Sequence, residues 1–247
     1  MKTVFIAATL ILCACTAWGM VGGPIFPVGS QMTAMTVEAS KVTLKTVSPS
    51  GSGSQEGTSD RMFLSARYGV LSNVDLSAML GTSNLGFNNL YGGYSDFRSN
   101  WSFAWGAGAR AGFPLGSPRY QAICGLQYTG FQPKGSSSNG IQTVSSKYIW
   151  HEVAPSVAVG ARVGPLVPYL GVAKPFFFGR RDVMVAMHGR AFPAAGGQTS
   201  YADGQQPVRG ILGLEWKLPD GYSLTAEGMT TPAGIWTLSL GVAQVLK

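Results

Sequence analysis

The chain has 247 residues, 34 of them glycine, with 12% charged residues, a net charge of +7 and a mean hydropathy of +0.16. A soluble domain carries about 25% charged residues, so this composition argues against one. Beyond the N-terminus no stretch offers the roughly 20 consecutive apolar residues of a membrane helix, which leaves strands closed into a barrel as the way to satisfy a backbone in lipid.

Residues 1–19 read as a secretory signal, with Lys2 as the charged n-region, 4–13 as the apolar run and Ala17-Trp18-Gly19 as a small-x-small cleavage site. Leu12-Cys13-Ala14-Cys15 also resembles the lipobox of bacterial lipoproteins, in which the final cysteine, here Cys15, is lipidated. Either route exports the chain. Cleavage after Gly19 removes Lys2 and no acid, so the net charge falls from +7 to +6. Cys124 is then alone, with no partner for a disulfide, on the apolar face of its strand.

Residues 20–32 read as a loose N-terminal segment rich in Gly and Pro, expected to be periplasmic if the strands that follow form an outer-membrane barrel, and 33–247 hold ten expected strands. These run over 33–46, 61–70, 74–82, 100–113, 119–130, 148–163, 167–178, 207–218, 222–229 and 235–246. In the first, Met35, Val37 and Ala39 share a face but Val42 and Leu44 switch parity, which predicts a bulge. The second and third form the clearest hairpin, RMFLSARYGVLSNVDLSAMLGT. Met62, Leu64, Ala66, Tyr68 and Val70 oppose Phe63, Ser65, Arg67 and Gly69; Val74, Leu76, Ala78 and Leu80 oppose Asp75, Ser77, Met79 and Gly81. Both charges lie on the face of the small residues. A turn at 71–73 sets Val70 against Val74 and Gly69 against Asp75, leaving Arg67 diagonal to Asp75 and within its reach.

Later strands alternate in the same way, with Trp101, Phe103 and Trp105 against Gly106, Gly108 and Arg110, and Leu212, Leu214 and Trp216 against Gly213, Glu215 and Lys217. In strands two to ten only Lys174 threatens to put a charge on the apolar face, where mid-bilayer placement costs roughly 2–4 kcal/mol. The connectors alternate too. Those at 71–73, 114–118, 164–166 and 219–221 are short turns, whereas 47–60, 83–99, 131–147 and 179–206 are long and rich in Ser, Gly and Asn. Aromatic residues (Trp101, Tyr128, Tyr148, Trp150, 176–178, Trp216, Tyr222, Trp236) gather near strand ends and read as two interfacial girdles.

This pattern, over about 31–247, resembles the bacterial outer-membrane β-barrel proteins, in the small OmpA/OmpX-like size range but with ten strands. The resemblance implies an all-β, antiparallel up-and-down transmembrane barrel, integral to the outer membrane, with both termini periplasmic and the four long loops outside. It also implies contact with outer-membrane lipid and with the outer-membrane assembly machinery. The family usually ends its last strand on an aromatic residue, whereas this chain ends Gln244-Val245-Leu246-Lys247.

The inward positions of strands two to ten carry Arg67, Arg110, Arg162, Arg209 and Lys217 against Asp75, Glu152, Glu215 and Glu227. Five positive and four negative charges leave +1, so mutual pairing in a narrow, largely side-chain-filled lumen is expected. Glu215 and Glu227 would be diagonal neighbours on the hairpin turned at 219–221, in a structural network rather than an acid–base pair. The glycines of 105–112 lack the helix a dinucleotide site needs. His151-Glu152 lacks the second histidine of a zinc protease, Pro155 standing there. Met184, Met187 and His188 make a poor copper site. The expectation is therefore a structural or surface-interaction barrel without enzymatic chemistry, cofactor, metal or nucleic-acid partner, with an external ligand to be sought at the long loops. A small porin for ions or small solutes is the alternative, and a barrel enzyme acting on lipid or peptide a weaker one.

Overall fold

The computed structural model describes residues 25–47, 54–88, 96–138, 141–187, 190–203, 207–232 and 235–246. The signal segment, Cys15 and His188 lie outside these residues. The described strands are β1 (Thr33–Val47), β2 (Ser54–Leu71), β3 (Val74–Ser83), β4 (Gly86–Phe87), β5 (Phe97–Ser99), β6 (Ser102–Leu115), β7 (Ser117–Phe131), β8 (Lys134–Ser138), β9 (Gln142–Ala161), β10 (Leu166–Ala173), β11 (Phe176–Met187), β12 (Arg190–Asp203), β13 (Arg209–Lys217), β14 (Tyr222–Thr230) and β15 (Trp236–Leu246).

Ten of them, β1, β2, β3, β6, β7, β9, β10, β13, β14 and β15, pair antiparallel with their chain neighbours. The β1–β15 pairing, from Thr33↔Leu246 to Val42↔Thr237, closes the ring. Closure leaves the wall without an edge, as a backbone in hydrocarbon requires. Leu64, Leu76, Leu80, Phe103, Leu126, Val157, Leu170, Leu212 and Leu238 all face outward and exposed, while the alternate positions face the lumen. Cys124 is exposed on this outer face. The exposed leucines and valines are thus a lipid-facing belt, the outward band of a membrane barrel.

The short turns fall at one end of the barrel, here the turn end. The 3-10 turn Pro219–Gly221 sets Glu215 opposite Thr225 and Gly213 opposite Glu227. In the β2–β3 hairpin Gly69 faces Asp75 and Arg67 faces Ser77, as the alternation predicts. At its tip Leu71, rather than Val70, pairs with Val74, because the register shifts after Gly69.

The opposite, loop end departs further from expectation. Long connectors fold as strands that carry the wall onward, so that β2, β4, β5, β8, β9, β11 and β12 form a second arc above the ring. Lys174 and Pro175 interrupt the seventh wall strand, but the Lys174 amide bonds the Pro155 carbonyl at 3.0 Å and β11 resumes along β9. The bulge predicted for β1 is absent: its register runs unbroken against β2. Thr36, Glu38, Ser40, Val42 and Leu44 all turn inward, and Lys41 outward. Val42 and Leu44 switch from the apolar outer face because the lumen itself is apolar at that height.

Leu212, 70% exposed in the middle of β13, tests the lipid-facing assignment. Leu212→Arg should cost about 2–4 kcal/mol in lipid vesicles if the residue sits near mid-bilayer. Urea titration of vesicle-folded protein measures this, and a change within error of Leu212→Ala would remove Leu212 from the belt.

Candidate functional site

The lumen is where the chain concentrates its buried charge, and it is built in three layers. At the turn end the chain preceding β1 folds back into the barrel mouth. Gln31 donates its amide to the Gly69 carbonyl at 2.8 Å and Gly69 donates to the Met32 carbonyl at 2.9 Å, which ties the segment to the end of β2. A Cβ on Gly69 would lie 1.7 Å from the Gly29 oxygen, so only glycine admits this crossing. Ile25 and Phe26 are then 0% and 2% exposed, among Ile123, Ala154, Val167, Tyr169, Ile211 and Met229.

Wall charges grip the backbone of this segment. The Ile25 amide donates to Glu215 Oε2 at 3.0 Å, the Ile25 carbonyl accepts from Arg110 Nη1 at 3.3 Å, and the Val28 amide donates to Asp75 Oδ1 at 3.1 Å. The Arg162 guanidinium lies 4.9 Å over the Phe26 ring. An inserted backbone needs partners for its amides and carbonyls, and a buried carboxylate needs donors. Each need meets the other.

The middle layer contains Arg67 and Asp75, whose Nε and Oδ2 stand 3.8 Å apart, and Tyr169, which donates to Glu227 Oε2 at 2.9 Å. Glu38 joins them from β1, buried. Between the plugging segment and the loop end, Arg67, Asp75, Ser77, Arg110, Gln127 and Ser156 line a cavity of about 30 Å³. That is space for about two waters. Across the lumen the hydroxyls of Thr36, Ser40, Thr225 and Ser239 are buried without a hydrogen-bond partner among the described residues.

Near the loop end Arg61 Nη2 and Glu152 Oε2 form an ion pair of 2.7 Å, with side chains 3% and 2% exposed. Arg209 donates to Thr237 Oγ1 at 2.9 Å and to the Thr43 carbonyl at 3.3 Å. An apolar cluster of Val42, Leu44, Phe63, Met79, Leu85, Phe87, Phe97, Phe131, Tyr148, Trp150 and Phe177 lies over these pairs. Arg61 sits 5.4 Å above the Phe131 ring, which joins the pair to the cluster. Tyr148, Trp150 and Phe177 thus belong to the lumen and not to an interfacial girdle.

Of the nine charges expected in one network, seven are found at the inner wall, divided among separate partners. Arg67 meets Asp75; Glu152 meets Arg61; Arg110 and Glu215 meet the inserted backbone; Glu227 meets Tyr169; Arg209 meets Thr237. Arg162 and Lys217 have inward parity but lie exposed at the turn-end rim. Glu38 and Arg61 were missing from the expected set, although Arg61 shares the parity of Phe63, Ser65 and Arg67. Strand β2 begins at Ser54, earlier than its alternation suggested, which places Arg61 well inside the barrel. The fold brings no group of three or more His, Cys, Asp or Glu into metal-binding range among the described residues.

Glu152→Ala should cost about 3–5 kcal/mol by stranding Arg61, whereas Arg61→Met/Glu152→Leu should cost clearly less than the two single changes together. Denaturant unfolding in detergent measures both. The corresponding cycle on Arg67→Ala and Asp75→Ala should also be non-additive, and strict additivity there would show that the two side chains do not interact.

No protein-family model matches the chain, and no curated protein matches it significantly. Solved structures do. The translocator domain of autotransporter NalP from Neisseria meningitidis is similar over 89% of both chains, at 12% identity and a TM-score of 0.55. The β domain of the Bordetella autotransporter BrkA is similar over 87% of this chain and 99% of its own, at 12% identity and a TM-score of 0.51. An outer membrane channel from Pseudomonas putida F1 follows at 10% identity and a TM-score of 0.47, over 92% of this chain and 100% of its own. Identities this low speak for fold alone, and the fold that the two autotransporter domains share with this chain is the closed antiparallel β-barrel.

Proposed function

We propose that the protein is a closed, non-enzymatic barrel of the outer membrane that acts through its loop end, as a structural or surface-interaction component. One observation carries this reading: both mouths of the bore are filled. Among the described residues, the segment from Ile25 occupies the turn end and the cluster around Trp150 and Phe177 the loop end, and a cavity between them beside Arg67 and Ser156 has space for about two waters. A ten-stranded bore is only slightly wider than the eight-stranded barrels whose interiors side chains fill. The second arc then becomes the part of the molecule that reaches beyond the bilayer, with termini and short turns in the periplasm. Outer-membrane lipid and the assembly machinery are its proposed partners, and the loop-end surface the place for an external ligand.

Purified, heat-modifiable protein in planar bilayers should show small or absent conductance without sharp ion selectivity. A large, steady conductance would replace this reading with the small porin. Orientation is tested separately with single cysteines in a Cys124→Ala background. An impermeant maleimide on intact cells should label Ser136→Cys and leave Asp220→Cys unlabelled, and the opposite result would invert the barrel.

A further inference from the structure

The outer wall of the barrel carries one feature that a uniform lipid belt does not need. Trp105 on β6 faces Gly130 on β7, Gly130 faces His151 on β9, and His151 faces Phe178 on β11, so the four positions form one rung across four strands. Tyr128 covers the gap at Gly130, where a Cβ would stand 3.0 Å from the Tyr128 hydroxyl and 3.3 Å from the Trp105 ring. The rings of Trp105, Tyr128, His151 and Phe178 follow one another at centroid spacings of 5.0, 5.9 and 5.2 Å, the last two contacts stacked. Tyr128 and His151 are joined by a 2.6 Å hydrogen bond between the hydroxyl and Nδ1. The result is a continuous aromatic shelf, which on β9 and β11 lies where the lipid belt gives way to the charged positions of the loop-end wall.

Cations surround this shelf. Ile149, one outward position above His151, faces Arg180, and Lys147, the next outward position, faces Lys134 on one side and Asp182 on the other. From His151 to Lys147 is about 13 Å along the strand, which spans a headgroup layer. Like charges directly opposite on a sheet destabilise it, yet Lys134 and Lys147 form no ion pair among the described residues, and Asp182 is held by Arg180 Nε at 3.0 Å. From below, Lys174 rises beside the belt and places its ammonium 5.7 Å from the Phe176 ring, the posture of a lysine reaching from lipid towards an interfacial anion. Among the described residues elsewhere at the loop end, Lys41 stands 4.0 Å from Asp60, and Arg98 3.2 Å from Asp96.

We infer that this face of β6, β7, β9 and β11 with β8 is a binding site for a phosphorylated glycolipid of the leaflet at the loop end. The apolar face of a sugar ring lies over the Trp105–Tyr128–His151–Phe178 shelf, its acyl chains run down the belt, and its phosphates take the positions that relieve Lys134 and Lys147. Aromatic rings favour the headgroup level, and surface lysines attract anionic headgroups. An unphosphorylated lipid would leave the two lysines repelling each other.

The test uses the full chain folded in neutral detergent, titrated with a doubly phosphorylated glucosamine disaccharide lipid. Native mass spectrometry reads binding, and the temperature of the heat-modifiable transition reads stabilisation. Wild type should bind and shift upward, the dephosphorylated lipid should not, and Lys134→Gln/Lys147→Gln should weaken binding about thirtyfold. Trp105→Leu/Phe178→Leu should weaken the glycolipid more than phosphatidylglycerol, and Lys41→Gln, on the paired side, should change neither. Binding of unchanged strength after loss of both lysines would overturn the site. Equal preference for phosphatidylglycerol and the glycolipid would overturn the sugar shelf. Retained heat-modifiability in each variant shows that the barrel is folded, so a lost signal reports on the ligand.

Discussion

The constraint on which everything else depends is that hydrocarbon offers no partner to an amide or a carbonyl. The pairing of β1 with β15 answers it by leaving no strand edge in the ring. Once the ring closes at ten strands, its bore is too narrow for inward side chains to ignore each other. Inward residues are then small, packed in an apolar cluster, or charged and held by a partner. Gly106, Gly108, Gly112, Gly125 and Gly160 take the first course, and Arg61, Arg67, Asp75, Glu152 and Glu227 the last.

The two ends of the bore meet this demand by different chemistry. At the turn end, the wall presents Asp75, Arg110 and Glu215, and what they take is the backbone of the chain itself at Ile25 and Val28. A backbone carries a donor and an acceptor in every ordinary residue, so it can satisfy charges of both signs at once. At the loop end, the charges pair with each other, as Arg61 does with Glu152, and aromatic side chains lie over them. Covering such a pair strengthens its electrostatics and also makes the loss of either partner costly.

Beyond the ring, the wall rises unevenly. The connectors after β3 and β7, and the continuation of β10, extend it through β4, β5, β8, β11 and β12, while β13, β14 and β15 stop near the level of Trp236. The inner face of the taller side supplies Phe87, Phe97, Tyr148 and Phe177 to the plug, and its outer face carries Lys134, Lys147 and Arg180. One extension of the sheet thus both brings aromatic side chains into the bore and gives the molecule a charged shoulder above the lipid belt.

Alternation with a period of two was enough to determine the wall from the residues alone. It placed Leu76, Leu80, Leu212 and Leu238 towards lipid, set Gly69 against Asp75, and set Glu215 against Thr225, because strand parity and turn length together dictate register. Parity says which residues share a face, but not what that face meets. Val42, Leu44, Trp150 and Phe177 are as apolar as the lipid belt, and only the closed ring shows that they point into the lumen, against aromatic residues brought from β4 and β5. Likewise the residues before β1 carry no periodic signal, and their place in the mouth follows from Asp75, Arg110 and Glu215, which are far apart in sequence and converge only when the barrel closes. Local pattern determined the ten wall strands and their faces but not the loop-end strands β4, β5, β8 and β12; which inward groups meet was decided by closure, since contacts across a bore depend on the ring as a whole.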